Sequence, residues 1–244
     1  MAAAQPQPDP GAAEAAATFK KSVAREYLES VVVAVILALF IRTFVVQAFK
    51  IPTGSMQPNL LIGDHLLVNK VIYSPSALPL EDRILAKKPI ARGHVVVFKF
   101  PEDPTRDFIK RVIGLPGETV EIRDKTVFIN GEALVEPYAH FLEPPLHRDD
   151  PEYGLRSEGA RDNWGPEVVP AGQLFVMGDN RDNSRDSRFW GFLPRDQVKG
   201  RALLVYWSYE ASREEYNRTG LSWLRDTLSA FGKTRWNRFF HLIR

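Results

Sequence analysis

The sequence predicts an all-β ectodomain carried on one N-terminal transmembrane helix. Three observations predict it. A basic flank and then an apolar run lead to membrane length by Phe49. From residue 50 onward, short β-branched runs alternate with Gly, Pro, Asn and Asp turn signals. No stretch with helical periodicity occurs before the last part of the chain, near Leu221.

Residues 1–19 are rich in Ala, Pro, Gln and Gly and have too little bulk to offset the entropy of ordering, so a disordered tail is expected there. Residues 20–49 hold the basic flank (Lys20, Lys21, Arg25) and the span. Val31 to Ile41 is unbroken apolar sequence, and Arg42-Thr43 interrupts it before Phe44-Val45-Val46-Gln47-Ala48-Phe49. A bilayer takes about 20 helical residues, which predicts a helix over residues 30–49 that includes Arg42. An arginine at mid-membrane costs about 2.5–3.5 kcal/mol, and less near an end where it can snorkel. The positive charge precedes the span, which predicts a cytoplasmic N-terminus and an outside location for everything after residue 50. A cleaved signal peptide ending at Val46-Gln47-Ala48 is the alternative; the long tail ahead of the charges and Arg42 inside the apolar core weigh against it.

Gly93-His94-Val95-Val96-Val97-Phe98-Lys99-Phe100 reads as a strand closed by Pro101. Thr119–Arg123 and Thr126–Ile129 flank Asp124-Lys125 as a hairpin, and Asn130-Gly131 turns the chain again. Leu174–Met177 and Ala202–Trp207 read as further buried strands, whereas 137–172 reads as a loop-heavy insertion. The expected division is a catalytic β-domain of residues 50–119 and 168–244, with an inserted part at 120–167. At the C-terminus, Leu221, Leu224, Leu228 and Phe231 share one helical face, and a basic aromatic segment follows that either touches a membrane surface or docks on the domain.

The chain has 244 residues, a net charge of +2 and no cysteine. The charge balance speaks against a nucleic-acid partner. The missing cysteine excludes disulfides, thiolate metal sites and a cysteine nucleophile.

Two segments bring useful chemistry. In Ile51-Pro52-Thr53-Gly54-Ser55-Met56-Gln57-Pro58, Pro52 fixes φ, Gly54 permits an unusual φ/ψ and Pro58 blocks a helix, so Ser55 sits on a shaped turn. Its own N–H and Thr53, two residues earlier, are candidate donors to an oxyanion. Lys110 lies among Phe108, Ile109, Val112 and Ile113, neighbours able to desolvate it. A lysine base near neutral pH needs its pKa lowered by about three units, which burial supplies. Alone, a Gly-Ser turn is common and strand lysines usually face water; paired, they form a known variant of serine hydrolase chemistry. No histidine among His65, His94, His140, His147 and His241 sits in so distinctive a segment, although His94 adjoins a strong strand.

A third segment runs from Met177 to Gly191. Asp182, Ser184 and Asp186 alternate like calcium ligands, but the sixth-place Gly and closing Glu are missing and two arginines intervene, so no metal is expected. Polar scaffolding fits better: Asp186 pairs with Arg188, and Ser184 bonds a catalytic group.

Together these segments resemble one family, the bacterial type I signal peptidases. Ile51–Met56 resembles the nucleophile box, and Gly63–Lys70 the next. Arg92–Phe98 and Phe108–Gly117 resemble the lysine box; Gly178-Asp179-Asn180, Ser184, Asp186-Ser187-Arg188 and Trp190-Gly191 resemble the last. The resemblance covers about residues 25–210. It implies two antiparallel β-sheet parts, the smaller inserted in the catalytic one, and a Ser55/Lys110 dyad without cofactor. It also implies an oxyanion hole from Thr53 and the Ser55 N–H, Ser184 orienting the lysine, and Asp186 with Arg188 supporting the site. The implied setting is the outer face of the bacterial cytoplasmic membrane. There the partners are the signal peptides of exported preproteins, the lipid bilayer and the secretion translocon. Specificity for small residues follows if Ile51, Pro52, Met56, Leu60, Phe108 and Ile109 wall shallow apolar pockets. Three residues depart from the family pattern: Asn59 for threonine, His94 for aspartate and Phe108 for tyrosine. Two rivals are a tethered, non-enzymatic β-domain and a Ser/Lys self-cleaving repressor; a membrane span stands where the repressor's DNA-binding module belongs.

Overall fold

The computed structural model describes residues 22–73, 88–142, 161–210 and 232–243. Its first unit ends at Arg42 and its second begins at Thr43. In the first, α1 (Val23–Phe40) starts at Ser22, whose side chain accepts from the Arg25 N–H, and an Arg25–Glu29 pair one turn apart supports its first turns. A π-turn, Ile41–Val45, extends it. The 23 residues from Val23 to Val45 are long and apolar enough to cross a bilayer, and none is buried in protein. The helix therefore begins and ends earlier than the expected 30–49. Val46–Lys50 is instead a strand, β1, paired residue for residue with β2 (Asp64–Asn69), Val46 opposite Asn69 and Lys50 opposite His65. Ladder bonds to β2 win there over helical continuation.

The second unit is antiparallel β, as the sequence predicts. The remaining strands are β3 (Val95–Phe100), β4 (Asp103–Gly114), β5 (Thr119–Arg123), β6 (Thr126–Ile129), β7 (Glu132–Ala133), β8 (Trp164–Val168), β9 (Gln173–Met177), β10 (Leu193–Pro194), β11 (Val198–Ser208) and β12 (His241–Leu242). The larger sheet has the order β1-β2-β11-β3-β4-β9-β10, with β12 also paired to β11; the smaller has the order β7-β6-β5-β8. Both faces of β3 are covered. Val95 and Val97 join Met56, Leu66 and Val205 in one apolar cluster, and Val96 and Phe98 join Val112, Val176 and Leu193 in another. This explains a continuous apolar run in place of alternation. A third cluster links the sheets, with Ile113, Phe175 and Met177 of the larger against Val120, Ile122 and Val127 of the smaller.

The hairpin between β5 and β6 turns on Asp124 and Lys125, both at positive φ (47° and 67°), the geometry of a type I′ turn. Asn130 and Gly131 repeat it between β6 and β7. Within the expected loop region, Trp164–Val168 proves to be a strand. Pro166 is tolerated because β8 lies at the edge of its sheet. The Leu221–Phe231 face lies outside the described residues. Beyond it, β12 pairs with β11, and Arg238 holds Asp64 at 2.6 Å and the Asn59 carbonyl at 2.9 Å, so this part docks on the domain.

Candidate active site

The turn carrying Ser55 follows the exit of β1. Ile51 seals its start by bonding through its N–H to the Asp64 carbonyl, and Met56 and Leu60 anchor its end in the core. The Gln57 N–H donates to the Gly54 carbonyl at 3.1 Å. The φ of Gly54 lies outside the left-handed region that glycine permits. What it needs is space, because a Cβ there would lie 2.6 Å from Gln57 Oε1.

Lys110 sits in the second half of β4, opposite Val96 of β3. Strand alternation turns Lys110 to the face of Phe108 and Val112 and Arg111 to the other. Of the four expected apolar neighbours, Phe108 and Val112 thus share its side, with the Phe108 ring 5.5 Å from Nζ. Nζ donates to Ser55 Oγ at 2.7 Å. Lys110 is 3% exposed and Ser55 8%. Burial pushes the Lys110 ammonium down to about 8, against the pull of the Asp186 and Asp179 carboxylates, with Arg188 adding to the fall. A hydroxyl is thereby in contact with an amine that is partly neutral near physiological pH. Both open into a cleft of about 570 Å³ lined by Pro52, Thr53, Phe108 and Ile109, with Arg106 and Arg185 among its other residues.

The polar segment after β9 braces both. Asn180 donates through its N–H to the Ser55 carbonyl and through Nδ2 to the Gly54 carbonyl. Gly178 lies so close that a Cβ would meet the Ser55 carbonyl oxygen at 2.5 Å. Asp179 is gripped by Arg111, the residue after Lys110. Arg188 binds Asp186 through two nitrogens (2.8 and 2.9 Å), and the Gly178 N–H adds a third bond at 3.0 Å. Burial pushes the Asp186 carboxyl up, but the Arg188 guanidinium and these bonds outweigh it and hold it below the usual carboxylate range.

A family model described as "Signal peptidase, peptidase S26" matches residues 24–207. Signal peptidase I of Pseudomonas fluorescens is 36% identical over 229 residues, covering 83% of this chain and 80% of that protein. That of Leptolyngbya laminosa is 39% identical over 209 residues, covering 83% and 89%. That of Pseudomonas aeruginosa is 35% identical over 227 residues, covering 83% and 78%. The chain belongs to the signal peptidase family. It is a peptidase, of all-β architecture with one apolar N-terminal helix.

For this signal peptidase, the structure brings together Ser55, Lys110, Thr53, Pro52, Phe108 and Ile109 around one cleft. It does not bring Ile51, Met56 and Leu60 to it. These are 2%, 0% and 2% exposed and belong to the core with Leu66 and Val68, where their bulk secures the turn; Leu60 also lines the separate groove beside His94. Ser184 is buried, and its Oγ makes no hydrogen bond to Lys110. It lies near enough to Asp186 to help hold that carboxyl down, without good hydrogen-bond geometry. Asp182 accepts from Lys125 and the Leu142 N–H, so the carboxylates read as calcium-like serve cations of the protein itself. His94 bonds the Tyr73 hydroxyl at 2.6 Å and lines a different groove. His65 packs against Tyr206, Trp207 and Tyr209, and burial lowers its pKa to about 4.

The departures from the family pattern find partners. Phe108 stacks on Phe100 at 4.2 Å, and Asn59 donates to both Asp179 Oδ2 and the Tyr138 carbonyl at 2.8 Å. Sequence reasoning gave no role to Asn59, Arg111, Asp179 or Asn180. The available signal was a Gly-Asp-Asn triplet directly after a buried strand, too short to reveal partners more than 60 residues away, such as Arg111 at a separation of 68.

Proposed function

We propose that this peptidase is a membrane-anchored serine endopeptidase that removes N-terminal signal peptides from exported preproteins, cutting after small residues. The observation that carries the reading is the 2.7 Å contact between Lys110 Nζ and Ser55 Oγ, buried at the edge of an open cleft. Ser55 Oγ attacks the scissile carbonyl while Lys110 takes its proton. The oxyanion is received by the Ser55 N–H and the Thr53 hydroxyl. The Lys110 ammonium returns the proton to the leaving amine, the C–N bond breaks and an ester on Ser55 remains. Lys110 then deprotonates the water that hydrolyses the ester. Asp186 and Arg188 hold the loop behind the lysine, and Ser184 orients Nζ once acylation of Ser55 has ended the Ser55 contact. Pro52, Phe108 and Ile109 form the shallow apolar walls, and the substrate lies extended against a strand edge.

The basic flank before the span supports a cytoplasmic N-terminus and an active site on the outer face of the cytoplasmic membrane, where preproteins emerge from the translocon. In this reading residues 50–119 and 168–244 form the catalytic part and 120–167 an insertion. The test is cleavage of a purified preprotein by wild type and by Ser55→Ala. Wild type should release the signal peptide and Ser55→Ala should not. Cleavage by both, or by neither, would favour the non-enzymatic tethered domain or a different nucleophile.

A further inference from the structure

The peptide bond between Gly54 and Ser55 is trans, so the Gly54 carbonyl and the Ser55 N–H point opposite ways across one rigid plane. Whatever fixes the carbonyl aims the N–H. The Gly54 oxygen accepts from the Gln57 N–H within the turn and from Asn180 Nδ2, at 3.2 Å, from outside it. The Ser55 oxygen accepts from the Asn180 N–H at 3.0 Å. One residue therefore grips both peptide planes that meet at the Ser55 Cα, and so fixes both Ser55 dihedrals. The Ser55 N–H donates no hydrogen bond to the described residues and stays available for a ligand.

Asn180 is itself held firmly. Its carbonyl accepts from the Asn183 N–H, and its neighbours Asp179 and Arg181 are locked by Arg111 and Glu136. Its Oδ1 is buried without a hydrogen-bond partner. Turning the amide over would set that oxygen against the Gly54 carbonyl, so the donor end faces the turn. A buried amide whose acceptor end goes unused is retained for its donor end.

We propose that Asn180 is a positioning residue for the oxyanion site: it clamps the peptide planes on either side of Ser55 and thereby aims the Ser55 N–H at the charge that develops on the scissile carbonyl. It does not line the cleft and touches no substrate. The inference rests on the Ser55/Lys110 reading above.

The experiment compares wild type with Asn180→Ala and with Asn180→Leu, which keeps the volume and removes the donor. The measurements are kcat and KM on a signal-sequence peptide as a function of pH, the affinity for a peptide aldehyde ending in Ala, and the affinity for the corresponding peptide acid. The aldehyde adds Ser55 Oγ to its carbonyl and presents the resulting oxygen to the oxyanion site; the acid does not form that adduct. Both variants should lose about 10- to 100-fold in kcat and a similar factor in aldehyde affinity, the effect of a misaimed donor. KM and acid affinity should stay within about twofold, and the pH limb set by Lys110 should not move. Unchanged aldehyde affinity would overturn the proposal, as would equal losses for aldehyde and acid. Failure of both variants to fold would also overturn it, by making Asn180 a residue of the fold alone. A wild type that neither cleaves the peptide nor binds the aldehyde would instead overturn the Ser55/Lys110 reading.

Discussion

Arg111 and Asp179 form a two-point ion pair, Nε to Oδ1 at 2.8 Å and a terminal nitrogen to Oδ2 at 2.7 Å, with side chains only 4% and 1% exposed. Asn59 donates to the same carboxylate, so the serine turn, the lysine strand and the segment after β9 meet at one buried charge. Removing one member leaves the other charge without compensation, at about 3–5 kcal/mol. Asp179→Ala should therefore lose about that much stability in urea denaturation. Asn59→Leu, which leaves the pair intact, should lose about 1–3 kcal/mol. Equal losses in the two variants would refute this ordering.

The depressed Lys110 has a signature in both activity and stability. Activity should rise with pH through about 8 and remain high in the alkaline range. Lys110→Arg should be as inactive as Lys110→Ala, since a guanidinium does not give up its proton. For stability, the unfolded lysine holds its proton to about 10.5 and the folded one to about 8. Between these values the unfolded state binds more protons, so stability rises with pH across the window, at about 1.4 kcal/mol per unit. Measured against Lys110→Met, wild type should gain stability from pH 8 to 10.5 and show no such relative slope below 8. A difference independent of pH would contradict a buried, neutralising lysine.

Two glycines near Ser55 should respond differently to alanine. At Gly54 the added Cβ meets the end of a flexible Gln57 side chain, so Gly54→Ala should keep much of its activity, and Gln57→Ala in the same chain should restore more. At Gly178 the Cβ meets the Ser55 carbonyl and Ser184, and the backbone has to move. Gly178→Ala should abolish cleavage, with a melting temperature below that of Gly54→Ala.

Thr53 is exposed in the cleft two residues before Ser55. Losing one oxyanion donor costs about 10²–10³ in kcat. Thr53→Ala should show that loss with little change in KM, whereas Thr53→Ser, which keeps the hydroxyl, should be nearly normal. Full kcat in Thr53→Ala would mean that the second donor lies elsewhere.

The strands that could be read from sequence were those covered on both faces or closed by turn residues. Val95–Phe98 is continuous apolar sequence, and Asp124-Lys125 is a type I′ turn between alternating runs. Strand β1 escaped because Val46–Lys50 continues the composition of the membrane segment, and only its pairing with β2 makes it a strand. Ser55 and Lys110 stood out through their local settings. Asn180, Asp179 and Asn59 did not, because a polar side chain shows its role only through its partner, and those partners lie 126, 68 and 120 positions away. Ile51, Met56 and Leu60 read as walls of the Ser55 cleft but pack in the core, for a related reason: apolar residues beside a nucleophile look the same whether they face a cleft or the core.

Strand β11, Val198–Ser208, lies between β2 and β3 in the larger sheet. Ser55 follows β1 and Lys110 lies in β4, and among the described residues β11 is the strand that joins the β1-β2 ladder to the β3-β4 ladder. The Arg111–Asp179–Asn59 contacts tie the same two parts together through side chains, so β11 is the backbone member of a double tie. The spacing of nucleophile and base is thus coupled to the register of a strand far along the chain: a one-residue slip of β11 would displace one reactive group against the other.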